Sequence, residues 1–338
     1  MQMNNLEEWL CLEGFPLLKK ISITNCPKLK RAPLQHLPSL QTLKISDCKM
    51  LEASTPKGDS IIELRFERCD RILINELPIS LKHFVLWQNQ YTEFSTEQNL
   101  LNNTNLVELR FDFSGFVKHP SLDLHCYNSL GILGIRGWRS LTFPFELHLL
   151  TNLISLLLHD FPQLESFPVG DLPSNLQLLV ITNFPKLITL EGEDWNLFKL
   201  NSLYLVDCPE LESFPRGGLP FNLRLLKIQN CPKLIASRKE WGLFELKFLK
   251  FFTVSYHEFE NVDSFPEENL LPPTLVSLSL INCSKLRIMN YKGFLHLNSL
   301  KDLIILNCPS LERLPEEGLP SFISRVQISD CPLIKQKY

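Results

Sequence analysis

The chain has 338 residues, 44% of them hydrophobic, and a net charge of −3 at pH 7. A balance this close to neutral gives no footing to nucleic acid or an anionic membrane as the main partner. No apolar run reaches the ~18 residues needed to span a bilayer. The opening segment MQMNNLEEWLCLEGF has neither the basic start nor the uninterrupted apolar stretch of a secretion signal, so the sequence reads as soluble and not secreted.

From the N-terminus onward one pattern recurs: LxxLxLxx followed by Cys, Asn or another residue, with Leu, Ile, Val or Phe in the apolar places. It begins at Leu18, Leu40, Ile61, Leu81, Leu106, Leu130 and Leu153, and again at Leu176, Leu200, Leu223, Leu249, Leu275, Leu300 and Ile323. The spacings of 20 to 26 residues are those of leucine-rich repeats. Within each unit the LxL core alternates with period two, which predicts a short strand with one apolar and one polar face. No single unit can bury its own apolar face. Stacking the units joins the strands into one parallel sheet over a continuous core. The expected fold is an α/β solenoid: a leucine-rich-repeat horseshoe with the parallel sheet on its concave face and irregular or short-helical segments on its convex face. Residues 1–338 are expected to form a single array of about 14 repeats, the first strand near 18–26 and the last near 323–331, with no nucleotide-binding domain.

A longer period lies over the first. LESFPVGDLPSNL from Leu164, LESFPRGGLPFNL from Leu211, VDSFPEENLLPPTL from Val262 and LERLPEEGLPSFI from Leu311 recur every 47 to 51 residues. Phe167, Phe214, Phe265 and Leu314 share one place in these segments and predict an apolar spine, and the prolines around them forbid long helices.

Eight of the ten cysteines, Cys26, Cys48, Cys69, Cys208, Cys231, Cys283, Cys308 and Cys331, fall just past a strand, always in the same phase. Cys11 and Cys126 are the other two. No CxxC pair exists, so the eight read as buried thiols packed as small hydrophobes. Immediately before that place stand Asn25, Asp47, Asp160, Asn183, Asp207, Asn230, Asn282, Asn307 and Asp330, read as side chains that cap the end of the strand. Asp123, His125 and Cys126, with His119 nearby, match no zinc spacing, and no metal or other cofactor is expected. P-loop, GxGxxG, HExxH and GxSxG motifs are missing, so the chain is not expected to be an enzyme.

Function then belongs to the x residues of LxxLxLxx, which point outward in ladders about 4.8 Å apart. Arg65, Glu67, Trp87, Arg110, Asp112, Arg136 and His159 concentrate in the third to seventh units, and Tyr204 stands further along the middle ladder. Arginine, aromatic and carboxylate together resemble an interface hot spot, with Trp87 as the strongest single candidate. The competing reading is that the alternating charges form cross-strand pairs on a solvated face. Toward the C-terminus Ile281, Ile304 and Leu306 predict an apolar patch on the same face.

The segments CPKL, CPEL, LESFP and GLPxNLxxLxIxNCPKL resemble the C-terminal repeats of plant intracellular disease-resistance proteins of the coiled-coil, nucleotide-binding, leucine-rich-repeat class. The likeness is densest from Leu164 to Ile334 and weakest in LKHFVLWQN and LRFDFSGF. It implies a cytoplasmic immune-receptor region. Its partners would be a protein, either a pathogen effector or the host target it alters, and the nucleotide-binding module of the same receptor, held inactive. Neither a coiled coil nor a P-loop is present, so nucleotide binding does not carry over to these residues. The alternative is a free-standing leucine-rich-repeat inhibitor or adaptor that wraps a partner protein.

Overall fold

The computed structural model describes residues 5–10, 15–34, 37–75, 77–89, 91–94, 105–115, 124, 127–143, 146–192, 195, 197–255, 264–315 and 318–334. Cys11, His119, Asp123, His125, Cys126 and Val262 lie outside them. Two compact units make up the chain, one of residues 1–139 and 145–159, the other of residues 140–144 and 160–338. Among the described residues no helix is long and apolar enough to cross a membrane.

The first unit is a parallel-sheet solenoid. Its principal strands are Lys20–Thr24, Thr42–Ser46, Glu63–Glu67, His83–Trp87, Glu108–Asp112, Ile132–Arg136 and Ser155–His159. Neighbours pair in register, Ile21 on Leu43, Leu64 on Phe84 and Leu133 on Leu156. Each strand starts two residues after the first apolar residue of the repeated pattern. The inward pairs Leu43 and Ile45, Leu64 and Phe66, and Leu109 and Phe111 are buried. Each such side chain contributes roughly 1.5–3 kcal/mol through removal from water.

The second unit repeats the arrangement with Leu178–Thr182, Ser202–Val206, Leu225–Gln229, Phe251–Ser255, Ser277–Ile281, Asp302–Leu306 and Arg325–Ser329. Its registers are likewise direct, Leu203 on Leu226 and Leu278 on Leu303. Leu203, Leu226 and Leu278 are wholly buried, whereas Val326 on the last strand is 44% exposed.

One backbone event ends the strands. Asn25, Asp47, Asp160, Asn183, Asp207, Asn230, Asn282, Asn307 and Asp330 all have φ between 51° and 59°. Asn and Asp tolerate this left-handed region better than other residues with a Cβ. Side-chain capping, the expectation from sequence, is therefore not their shared role. Their backbone turns the chain off the sheet, and several side chains bond sideways to the preceding repeat: Asn183 Nδ2 donates to Asp160 Oδ1 at 2.6 Å and Asn230 Nδ2 to Asp207 Oδ1 at 2.7 Å. Arg68 and Gln88 adopt the same φ in the first unit, and Gly137 takes the place with φ 72°. A Cβ on Gly137 would lie 2.5 Å from the Ser114 nitrogen, so this repeat accepts no side chain there.

The next residue, Cys in most repeats, is buried and unoxidised at Cys48, Cys69, Cys208, Cys231, Cys283 and Cys308. These thiols do more than fill space. Cys48 Sγ lies 3.2 Å from Ser46 O of its own strand and 3.9 Å from Ile23 O of the preceding one, and Cys69 Sγ 3.3 Å from Glu67 O and 3.7 Å from Ile45 O. Asn89 holds the same place in its repeat and makes the stronger version: its Nδ2 donates to Phe66 O at 2.9 Å, and its Oδ1 accepts from Cys69 N at 2.8 Å. Burial pushes the Cys48 thiol up to about 11 and Cys69 up to about 12, which keeps them protonated.

The return segments contain one five-residue α-helix, Pro232–Ala236, and several 3-10 turns among the described residues. They also contain β-structure that the sequence reading did not anticipate. Glu52–Ser54, Arg71–Ile74 and Thr92–Phe94 form a short parallel ribbon in the first unit. In the second, Ser166–Pro168 pairs with Thr189–Glu191, and Ser264–Phe265 with Ile288–Met289. The spine enters this layer: Phe167, Phe214 and Phe265 are buried, while Leu314 is only half-buried.

Candidate partner-binding face

On the outer face of the first unit, alternation brings charged side chains from adjacent strands side by side. Lys44 Nζ lies 3.0 Å from Glu63 Oε1, and Arg65 Nε lies 2.5 Å from the same oxygen. Arg65 continues to Glu108, NH2 to Oε2 at 2.5 Å, and Arg110 Nε approaches Glu108 Oε1 at 2.9 Å. His83 Nδ1 stands 3.2 Å from Glu108 Oε2. Glu108, an outward residue, is thereby only 3% exposed. A carboxylate this enclosed is tolerable because two guanidinium groups face it. Burial opposes ionisation of Glu63, but the bonds from Arg65 and Lys44 outweigh it and hold its carboxyl below the usual range. Burial likewise works against the charge on Arg65, and Glu63 and Glu108 overcome it.

Trp87 crosses this face. An ideal Cβ at Gly134 would lie 3.0 Å from Arg110 Cγ and 3.3 Å from Trp87 Cζ3, so the missing side chain of Gly134 makes the floor on which both rest. The indole meets His159 edge-on, ring centroids 5.3 Å apart at 86°. Trp87 is consequently half-buried, not the freely exposed anchor that its place in the repeat suggested. Val85, also outward, is 1% exposed beneath this layer.

Asp112 needs the larger correction. Its Oδ2 accepts from Gln88 N at 2.9 Å and its Oδ1 from Ser114 N at 2.9 Å, and the residue is 4% exposed. It holds a turn, with Arg136 Nε 3.7 Å from it. Glu67 is half-exposed, 3.9 Å from Arg68 NH1. Arg65, Trp87, Arg110, Arg136 and His159 thus share one surface with Glu67 and Asp112 at its strand-end edge. Tyr204 belongs to the second unit, where it stands half-buried between Val180 and Lys227.

Sequence reasoning passed over the outward row formed by Glu63, His83 and Glu108. The signal was present: these residues precede the first inward residue of each strand, Leu64, Phe84 and Leu109, by one, so period two puts them on the same face as Arg65 and Arg110. The outer face of the second unit differs in kind. Leu225, Ile281, Ile304 and Leu306 are half-buried and Phe251 is exposed. Among the described residues no cluster of three or more His, Cys, Asp or Glu could hold a metal ion.

The fold is that of a leucine-rich-repeat solenoid. No family model matches the chain. It is 32% identical over 347 aligned positions to an Arabidopsis thaliana protein named "Putative disease resistance protein At3g14460", the match covering 96% of this chain. The chain spans 20% of that relative's length. Among solved structures, the leucine-rich effector protein YopM from Yersinia pestis is similar with a TM-score of 0.57 and 21% identity, over 92% of this chain and 88% of that one. At that identity the likeness concerns the fold.

Proposed function

We propose that the chain is the recognition region of a plant intracellular immune receptor of the coiled-coil, nucleotide-binding, leucine-rich-repeat class, acting in the cytoplasm as one continuous array. In this reading it binds a pathogen effector or a guarded host protein, and it restrains the receptor's nucleotide-binding module until it does so. The observation that carries the reading is the 32% identity to a protein named for disease resistance, sustained along 96% of the chain. The outer strand faces supply the surface. In the first unit, Arg65 and Arg110 are held by Glu63 and Glu108, and Trp87 is seated over Gly134. Side chains fixed before binding lose little freedom on complex formation, which favours affinity. Arg136, His159, Glu67 and Asp112 frame the same patch, and Tyr204 offers an aromatic contact on the other unit.

The test is partner-dependent cell death in leaf tissue with the receptor that carries this chain. Trp87→Ala with Arg110→Ala should abolish the response at unchanged protein level. A normal response from the double variant would take the binding face away from this patch.

A further inference from the structure

The fourteen-fold repetition makes departures from the repeat informative, and one run of departures lies at the entry edge of the second unit's strands. There a β-turn brings the chain into each strand, closed by a bond from the leucine two residues before the strand to the carbonyl three residues earlier: Leu200 to Leu197 at 3.0 Å, Leu223 to Pro220 at 3.2 Å and Leu249 to Leu246 at 3.4 Å. The two central residues of such a turn project into solvent. In three others of this unit they are polar or proline, Ser174 and Asn175, Pro273 and Thr274, Asn298 and Ser299. In three consecutive turns one of them is phenylalanine: Phe198, Phe221 and Phe248, exposed by 60%, 55% and 48%. Phe198 and Phe221 touch, ring centroids 6.0 Å apart. Phe322, in the last turn, is half-buried.

Cations border this run. Lys247 shares its turn with Phe248, and Arg224 and Lys250 are the residues immediately past Leu223 and Leu249. Their backbones form one row, Lys250 N bonding to Arg224 O at 2.9 Å, and all three side chains are exposed. None of the three makes an ion pair among the described residues, and the exposed carboxylate beside them is Glu245. The three turn-tip aromatics stay about half exposed, and among the described residues the three cations beside them are exposed and make no ion pair.

We propose that this edge is a docking strip for an acidic amphipathic helix of a partner protein. Adjacent turns follow the strand spacing of about 4.8 Å, close to the ~5.4 Å rise of one helical turn. Apolar residues at i, i+3 or i+4, and i+7 of a helix therefore meet Phe198, Phe221 and Phe248 in turn, the helix lying across the strands. Glu or Asp flanking that stripe faces Arg224, Lys247 and Lys250. Three rings borne on three successive turns, Phe198 and Phe221 at the first central position and Phe248 at the second, fit a rod better than the plane of a membrane. The strip is separate from the outer strand face assigned above, and its test is independent of that assignment.

The measurement is fluorescence anisotropy with the full chain and a labelled helical peptide of about fourteen residues bearing Leu at those positions and Glu between them. Binding should weaken at least about tenfold in Phe221→Ser with Phe248→Ser, and by a similar factor in Lys247→Glu with Lys250→Glu. A peptide with Lys in place of Glu should bind at least about tenfold more weakly than the acidic one. The Trp87→Ala chain should bind the acidic peptide as the parent does. Equal binding by the two peptides, or full binding by the phenylalanine variant, would overturn the proposal. So would failure of the acidic peptide to bind while phosphatidylserine vesicles sediment the parent chain and not the phenylalanine variant.

Discussion

Asn89 is where a single side chain shows why the position after each strand is restricted. It answers two backbone groups of the preceding repeat, the Cys69 N–H and the Phe66 carbonyl, inside the fold. Leaving them unmet is costly, because an unpaired buried polar group loses its water and gains nothing. Asn89→Ala should destabilise by about 2–4 kcal/mol in urea unfolding. Asn89→Cys should lose less, since a thiol restores the weak bond to the strand carbonyl that Cys48 and Cys69 make in their repeats. Equal losses in the two variants would show that the cysteines act by volume alone. Gln88 and Arg68 illustrate the limit of reading residue types: both adopt the left-handed backbone that Asn and Asp adopt elsewhere. Their neighbours in the ladder impose it, so the pattern was legible there in phase but not in composition.

At the scale of the strand, alternation was enough to place every inward leucine of the central repeats. Leu226 is wholly buried and faces Leu203 and Phe252 on the two flanking strands. Leu226→Ala should cost about 2–5 kcal/mol, the transfer of the side chain plus the cavity left behind. Because each strand touches only its neighbours, the loss should be local. Amide exchange should quicken first in Ser202–Val206, Leu225–Gln229 and Phe251–Ser255; uniform quickening along the chain would contradict a nearest-neighbour array. The short ribbons of the return side were not legible in this way. Glu52–Ser54 and Thr189–Glu191 are three residues each, too short for one polar–apolar–polar step to mark a strand, and they pair because the principal sheet has already fixed their separation. The same reasoning covers the apolar spine, which was foreseen at Phe167 and Phe265 from the 47 to 51-residue period.

Across the molecule the two units offer different outer faces, one layered with ion pairs and one that mixes apolar residues such as Leu225, Phe251, Ile281 and Ile304 with serine, threonine and glutamine. The ion-pair layer places one acid-sensitive group, Glu63, on the outer face of the first unit. The Glu63 carboxyl is held below its ordinary value in the folded protein by Arg65 and Lys44, against the opposing effect of burial. Its contribution is therefore present above its unfolded pKa of about 4.3 and is lost as pH falls through the lower folded value. Between pH 6 and pH 3, exchange protection should fall in Thr42–Ser46, Glu63–Glu67 and Glu108–Asp112, and Glu63→Gln should blunt that fall. An equal response from the Glu63→Gln chain would assign the acid sensitivity to other carboxylates.

The sequence by itself determined the repeat, the strand phase, the inward leucines and the outward direction of Arg65, Trp87 and Arg110. Each follows from the two-residue period of a strand and the regular return of the pattern, which are local properties of the chain. Tertiary structure decided how far those outward residues remain available. Arg65 shares Glu108 with Arg110 across strands 43 positions apart in sequence, and Trp87 lies over the gap at Gly134 to reach His159. No local pattern encodes such a meeting, because a side chain's exposure on a sheet depends on the size and charge of residues that stacking alone makes its neighbours.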